Sequence, residues 1–314
     1  MKNPHISVLL NEVIETLDIK KDGVYLDCTF GAGGYSNAIL EKENCYVCAI
    51  DRDTKVMPYA EKLLQNFGER FNINFSEFAN LEETIQYFPY QFFDGIVFDI
   101  GVSSMQIDSG FRGFSFTKNG PIDMRMDQNQ DIDAAFIINN YPEEELIKII
   151  RDFGGEKKAR SIAKAIINSR EQEPISTTLR LASIIKKAVG NYSDTIHPAT
   201  RTFQALRIAV NDELEQLKVG LRASIELLKV GGVIAVVTFH SGEDEIVKAI
   251  FNSLLIKPLK RNKYSHFSKQ PISDDKQSKF ELVTKKPITP SEQEVLENIR
   301  SRSAKLRVIR RIRA

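Results

Sequence analysis

Residues 27–34, Asp27-Cys28-Thr29-Phe30-Gly31-Ala32-Gly33-Gly34, follow directly on the apolar run Val24-Tyr25-Leu26. They read as a strand ending in a carboxylate, then a glycine-rich turn, then a helix. Tyr46-Val47-Cys48-Ala49-Ile50 reads as a second strand and ends in Asp51. Glycine has no Cβ, so a ligand can lie against the backbone of the turn. A carboxylate closing the second strand can accept two hydrogen bonds from ribose hydroxyls. Together the two segments describe a nucleoside-cofactor site.

Working outward, strands are expected at 24–28, 45–50, 71–75 and 93–100, alternating with helices. The helix between the second and third strands carries Met57, Ala60, Leu63, Leu64 and Phe67 on one face, a 3.6-residue period. Asp51 and Asp53 precede it and can cap its start. The fourth strand, Phe93-Asp94-Gly95-Ile96-Val97-Phe98-Asp99-Ile100, is mostly apolar on both faces, as a buried parallel strand should be. The alternation then stops. Residues 101–130 are rich in Gly, Ser, Asp and Phe without a period. Two apolar stripes follow, Leu146/Ile149/Ile150/Phe153 and Ala159/Ile162/Ala163/Ile166/Ile167, then a break at Pro174 and a helix over 177–189. One long helix is expected from Arg201 to Leu228, ended by Gly231-Gly232, before a strand at 233–239. Residues 258–293, broken by Pro271, Pro287 and Pro290, read in part as a mobile loop, and 305–310 as a last strand. The expected organisation is α/β: a Rossmann-like core from 1–107 and 201–314, with an all-helical insert at 108–200.

The turn also says which nucleoside. A dinucleotide fingerprint needs G-x-G-x-x-G, because the pyrophosphate sits on the helix N-terminus. Gly31-Ala32-Gly33-Gly34-Tyr35-Ser36 fails at the third glycine, and Asp27 would repel a pyrophosphate. S-adenosylmethionine carries an ammonium and a sulfonium, which suit acidic residues at the ends of the first, second and fourth strands (Asp27 or Thr29, Asp51, Asp99).

Composition is that of an ordinary globular chain, with 314 residues, 42% hydrophobic and 27% charged. No apolar run approaches the ~20 residues that span a bilayer, and no basic-then-apolar leader opens the chain. No membrane partner is expected. Cys28, Cys45 and Cys48 are too few for a disulfide framework, which fits a reducing cytoplasm. Cys45 and Cys48 point to opposite faces of one strand without a second pair, so no metal site is expected. The net charge of +1 hides an asymmetry: residues 257–314 hold 16 Lys/Arg against 6 Asp/Glu, and residues 1–256 hold 27 against 36. A basic end on an acidic body suits a polyanion partner, and a solubilising tail would look the same.

Beyond these local signals, several blocks resemble the RsmH (MraW) family, bacterial methyltransferases of the N4 of one cytidine in the 16S rRNA decoding centre. They are His5-Ile6-Ser7-Val8-Leu9-Leu10-Asn11-Glu12-Val13, Asp27 through Ser36, Asp99-Ile100-Gly101-Val102-Ser103-Ser104-Met105-Gln106, Arg112-Gly113-Phe114-Ser115-Phe116 with Gly120 through Met126, His197 through Ile208, Phe239-His240-Ser241, and Arg302 through Arg307. The resemblance implies a class I S-adenosylmethionine-dependent methyltransferase. Its cofactor contacts would be Gly33, Gly34 and Tyr35 at the methionine end, Asp51 at the ribose, Phe78 beside the adenine, and Asp99 and Gln106. The implied partner is 16S rRNA or the small ribosomal subunit. The location would be the cytoplasm, with a homodimer left open. Two positions depart from the family pattern: Tyr35 stands where His is usual, and Gly242 replaces an aliphatic residue at a helix start.

Methyl transfer to an exocyclic amine needs no metal. It needs proximity and an acceptor for the amine N–H. Asp99, or a carbonyl of the loop after it, stands where that acceptor would be, and Asp99 suits a pure cofactor ligand equally well. Phe111, Phe114 and Phe116 could stack bases, with Arg112 and Arg125 on phosphates, or the three rings could be core packing. Arg201 and Arg207 lie on different helical faces, one for RNA and one for an acidic neighbour. His240 ends a strand, either facing substrate or anchoring the loop. Two other readings remain: an inactive RNA-binding relative, which the intact cofactor set opposes, and a nicotinamide oxidoreductase, which Asp27 opposes.

Overall fold

A computed structural model describes residues 7–190, 196–255 and 278–314. His5 and Ile6 of the opening block, and residues 258–277 of the basic end with Pro271, lie outside the described residues. The chain divides into two compact units, one of residues 1–51, 55–100 and 216–314, the other of 52–54 and 101–215.

The first unit is built on seven strands: β1 (Val24–Asp27), β2 (Tyr46–Asp51), β3 (Phe71–Phe75), β4 (Phe93–Asp99), β5 (Leu228–Thr238), β6 (Phe280–Leu282) and β7 (Lys305–Arg311). Their order is β3-β2-β1-β4-β5-β7-β6. The first five pair in parallel, and β7 runs antiparallel between β5 and β6. This is the expected α/β class, with β1, β2, β4 and the second half of β5 buried on both faces. Leu26, Ile96, Phe98, Ile234 and Val236 form a core with Leu217, Leu221 and Phe251 on the covering helices. Because the chain winds outward from β1 in one direction and from β4 in the other, the switch point lies between β1 and β4, where doubly wound sheets bind ligands.

The strand expectations hold to within a residue or two in β1–β4 and β7. The long helix does not. Helices Thr200–Asn211 and Glu213–Glu226 are separated by Asp212, which adopts a left-handed conformation at φ 48. The apolar period runs through the break because both helices turn an apolar face inward, so periodicity alone cannot see it. Gly231 and Gly232 do not end a helix. They lie inside β5, at a bulge where Phe93 pairs with Leu228 and Gly95 with Val233. Gly231 takes φ 85 there, and a Cβ on Gly232 would lie 3.1 Å from the Asp94 carbonyl oxygen. The described part of the expected loop, 278–293, contains β6 and the start of a helix at Glu292–Glu297. Asp51 and Asp53 do not cap the helix Met57–Phe67, which Val56 precedes without a side-chain cap. Both carboxylates are engaged elsewhere, as described below.

The second unit is helical. Helices Ala134–Asn140, Glu143–Lys148 (continued by a π-helical turn over Ile149–Phe153), Ala159–Gln172, Thr178–Val189 and Thr200–Asn211 enclose Ile137, Leu146, Ile150, Ile162, Ile166, Leu181, Ile185, Phe203 and Leu206. Both sequence stripes supply this core. The unit's limits, Gly101 and Glu215, fall outside the expected 108 and 200. The helix from Thr200 contributes Phe203 and Leu206 to the helical core, and Gln106 is bonded to Asp53 inside the same unit. Gly242 leaves the helix Ser241–Leu254 intact, because His240 and Glu243 close a reciprocal capping box around its start.

Gly220 sits on the helix Glu213–Glu226 with no room for a side chain. A Cβ there would lie 2.7 Å from both the ring and the carbonyl oxygen of Phe78. Gly220→Ala should lower the denaturant midpoint, the clash costing about 1–3 kcal/mol against the ~1 kcal/mol that alanine gains over glycine in a helix. An unchanged or raised midpoint would show that Phe78 moves aside freely.

Candidate cofactor site

Asp27 closes β1 with its carboxyl fully buried. Oδ2 accepts from Ser36 Oγ at 2.7 Å and Oδ1 from the Thr29 amide at 3.1 Å. These bonds fold the intervening loop back on the strand. The loop then reaches both neighbours: Thr29 Oγ1 accepts from the Asp99 amide at 2.6 Å, and the Gly31 amide donates to Asp51 Oδ2 at 2.7 Å. The ends of β1, β2 and β4 are thus joined through one glycine turn. Gly33 takes φ 76, and a Cβ on it would meet the Phe30 ring at 2.8 Å. Gly33 also precedes the helix Gly34–Lys42 with no side chain capping that terminus. Ser7 and Val8 pack alongside: a Cβ on Gly34 would lie 1.9 Å from Ser7 Oγ, and the Tyr35 hydroxyl donates to the Val8 carbonyl.

The electrostatics of these strand ends are unbalanced. Burial pushes the Asp27 carboxyl up to about 6, against the bonds from Ser36 and Thr29 that lower it. Asp99 is raised well above the usual carboxylate range, first by burial, then by the charges of Asp27 and Glu243. Asp99 keeps part of its surface open, yet its Oδ1 is buried, and among the described residues no hydrogen-bond partner reaches it. A buried carboxylate oxygen without a donor is costly. A cationic ligand with N–H or O–H donors relieves both the missing bond and the excess of negative charge. The donor set therefore fits a positively charged nucleoside cofactor and opposes a pyrophosphate.

Phe78 opens a short turn, Phe78–Asn80, and packs edge to face on Phe98 with centroids 5.9 Å apart. Gln216 braces this turn from both sides, donating to Glu77 Oε2 at 2.6 Å and accepting from the Ala79 amide at 3.3 Å. Tyr35 has a buried ring, so any cofactor contact it makes comes from its main chain. His240 is an anchor: its Nδ1 accepts from the Glu243 amide, and its Nε2 lies 2.8 Å from Glu243 Oε1.

The remaining expected site residues belong to the helical unit. Gln106 donates to Asp53 Oδ2 at 2.9 Å and accepts from the Ser103 amide at 3.0 Å, so its amide is committed within that unit. Arg112, expected on a phosphate, is instead buried. Its Nη1 bonds Asp53 Oδ2 at 2.8 Å and its Nη2 bonds the Arg125 and Met126 carbonyls. Arg125, expected on a phosphate as well, forks onto Asp123 and donates to the Gln130 carbonyl, which holds its own loop. Arg207 pairs with Glu213 through two 2.8 Å bonds, and Arg201 approaches Glu156 at 3.7 Å with its side chain partly open. Phe116 stacks on His197 and Phe114 packs on the helical core, whereas Phe111 is 84% exposed. Ser36, Gln216, Glu243 and Asp53 do structural work in these arrangements that sequence reading did not assign. For Asp53 a signal existed in its position two residues after Asp51. For Gln216 there was none, because its partners are remote in the chain.

Comparison with known proteins agrees with this chemistry. The profile of the MraW methylase family matches residues 2–312. Ribosomal RNA small subunit methyltransferase H of Ehrlichia canis is 48% identical over 309 residues, covering 98% of this chain and 100% of that one. The protein of the same name from Rickettsia africae is 47% identical over 316 residues, covering 99% of each. An rRNA methylase structure from Streptococcus thermophilus aligns over 100% of this chain and 99% of its own with a TM-score of 0.42 at 10% identity. With sequence similarity running through both units at this level, the chain belongs to the MraW methylase family and is an S-adenosylmethionine-dependent methyltransferase.

Proposed function

We propose that this methyltransferase modifies the exocyclic N4 of a cytidine in the decoding centre of 16S rRNA, in the cytoplasm, on an assembled or assembling small subunit. The observation that carries the site assignment is the buried, unpartnered Asp99 Oδ1 beside the switch point of the sheet. The nucleic-acid side is supported by the names of the relatives, small-subunit rRNA methyltransferases, and by the basic end of the chain. The choice of cytidine N4 follows from the block-by-block resemblance.

In this reading Gly33 and Gly34 admit the methionine end of the cofactor against the backbone, with Tyr35 contributing its main chain. Asp51 holds the ribose, and Phe78 lies beside the adenine. Bound there, S-adenosylmethionine supplies an electrophilic methyl carbon. Asp99 Oδ1 offers an acceptor both for a cofactor donor and for an N–H of the incoming amine, whose lone pair is otherwise drawn into the cytosine ring. The protein's contribution is chiefly orientation of the two reactants. On the RNA side Phe111 is the ring left free to stack a splayed base, and Arg201 is retained as a phosphate contact. Arg112 and Arg125 are not.

The direct test is transfer from labelled S-adenosylmethionine to small subunits from a strain lacking the modification, with the product nucleoside identified. N4-methylcytidine is expected, and label on another nucleoside or on none overturns the proposal. Cofactor affinity should also depend on pH in a defined sense. A cation favours the ionised forms of Asp27 and Asp99, so binding must expel protons below their free-state pKa values. Affinity should therefore level off in alkali and fall on acidification, by up to about tenfold per pH unit per displaced proton, with Asp27 adding its part below about 6. Asp99→Asn should weaken binding about tenfold or more, ~1.4 kcal/mol, and flatten the upper part of that profile in calorimetric titrations. Phe111→Ala should raise the KM for subunits several-fold while leaving cofactor affinity unchanged, since stacking one base contributes about 1–3 kcal/mol.

A further inference from the structure

The chain passes between its two units at 51/52 and 54/55, at 100/101 and at 215/216. Three of these passages, 51/52, 100/101 and 215/216, lie next to a residue of the proposed cofactor set or to one that braces it. Asp51 is itself the last residue before the first. Asp99 is two residues before Gly101. Gln216, the first residue after the third, brackets Phe78 through Glu77 and Ala79.

Inside the helical unit these three passages are fastened to one another. Asp53 Oδ2 takes Gln106 Nε2 at 2.9 Å and Arg112 Nη1 at 2.8 Å, which ties the 52–54 segment to the 101–112 segment. Arg52 Nη1 donates to the Asn211 carbonyl at 3.0 Å, which ties the same segment to the end of the helix that precedes 215. The Asn211 side chain donates to the Met124 carbonyl and accepts from the Met126 amide, and Arg112 Nη2 reaches the Met126 carbonyl. Four of its members, Asp53, Gln106, Arg112 and Asn211, are buried, and Arg52 is partly exposed. A buried carboxylate shared by a guanidinium and an amide has no cheap alternative arrangement, so its members shift together or not at all.

We infer that Asp53 is a positioning residue that couples the cofactor site to the RNA-binding unit. RNA engaged by the helical unit fixes the segments at 52–54, 101–112 and 211 that Asp53 and Arg52 fasten together, and these run on along the chain to Asp51, Asp99 and Gln216. Asp53 transmits that effect of RNA and does not itself hold the cofactor. Each ligand therefore tightens the other by the same factor, as linkage demands. This inference rests on the RNA-methyltransferase reading above.

The test measures affinity of the full-length protein for sinefungin, a cationic analogue that cannot transfer a methyl group, with and without unmodified small subunits. The wild-type protein should bind the analogue at least fivefold more tightly in the presence of subunits. Asp53→Asn should bind the analogue alone within about twofold of wild type, but gain less than twofold from subunits. Arg112→Lys keeps a cation for Asp53 and loses the fork to the Arg125 and Met126 carbonyls. It should lose most of the coupling as well, and it carries the test if Asp53→Asn does not fold. Two results would overturn the inference: full coupling in the folded variants, or an equal loss of analogue binding with and without subunits, which marks a merely structural role. Failure of the wild-type protein to bind or methylate subunits would overturn the RNA reading and this inference with it. Normal methylation with no wild-type coupling would overturn the inference alone.

Discussion

The carboxyl of Asp27 is the constraint around which the ends of β1, β2 and β4 are arranged. It is buried at the end of the first strand, and water cannot satisfy it. The chain must supply donors, and it does so from Thr29 and Ser36, which forces the segment between them into a tight turn. Only residues without a side chain fit where that turn presses on Phe30 and Ser7. The turn in turn lends Thr29 Oγ1 to β4 and the Gly31 amide to β2. Burial is not fully compensated, as the raised pKa of Asp27 shows. Because the folded carboxyl holds its proton more tightly than an unfolded one, the group opposes folding once pH passes through the interval from 3.8 to about 6. A cation beside it offsets that penalty, so the unliganded enzyme is held in a state that a positively charged cofactor improves.

The sequence is most informative about the site where its chemistry is local. Three carboxylates at the ends of apolar strands, a turn of glycines and a covering amphipathic helix are all properties of short segments, and the strands β1–β4 lie within a residue or two of their expected limits. What was not legible depends on partners distant in the chain. The break at Asp212 leaves no trace in hydrophobic period because both helices bury the same kind of face. Gly231-Gly232 resembles a helix stop, yet the pairing of β4 with β5 makes it a bulge. The short β6 is only a strand because β7 is there to pair with it.

The arginines show the same limit in charge. Arg112, Arg125, Arg201 and Arg207 are equivalent in a one-dimensional reading of basic residues near aromatic ones. In the fold, three of the four are engaged with internal carboxylates or carbonyls, and Arg201 keeps a partly open side chain. A guanidinium offers five donors in a rigid fork, so it serves equally well as a phosphate ligand or as a brace for irregular loops. The long unpatterned stretch 101–130 needed such braces, because it has almost no regular secondary structure to hold it. Rings divide similarly: Phe114 and Phe116 close the helical core, and Phe111 does not.

The antiparallel β7 has a consequence for how the chain is made. β4 and β5 are neighbours in the sheet but stand on either side of the whole helical unit in sequence, and β5 finds its other neighbour only at residues 305–311. During synthesis β5 therefore emerges with one bare edge, and that edge stays open until the last strand arrives. Such an edge is a template for wrong pairing. The helical unit has its own apolar core, and its early collapse would replace a long floppy loop by a short closed one, lowering the entropy cost of joining β4 to β5. The order of folding is thereby biased: the helical unit first, the central sheet next, and the β5 edge covered last.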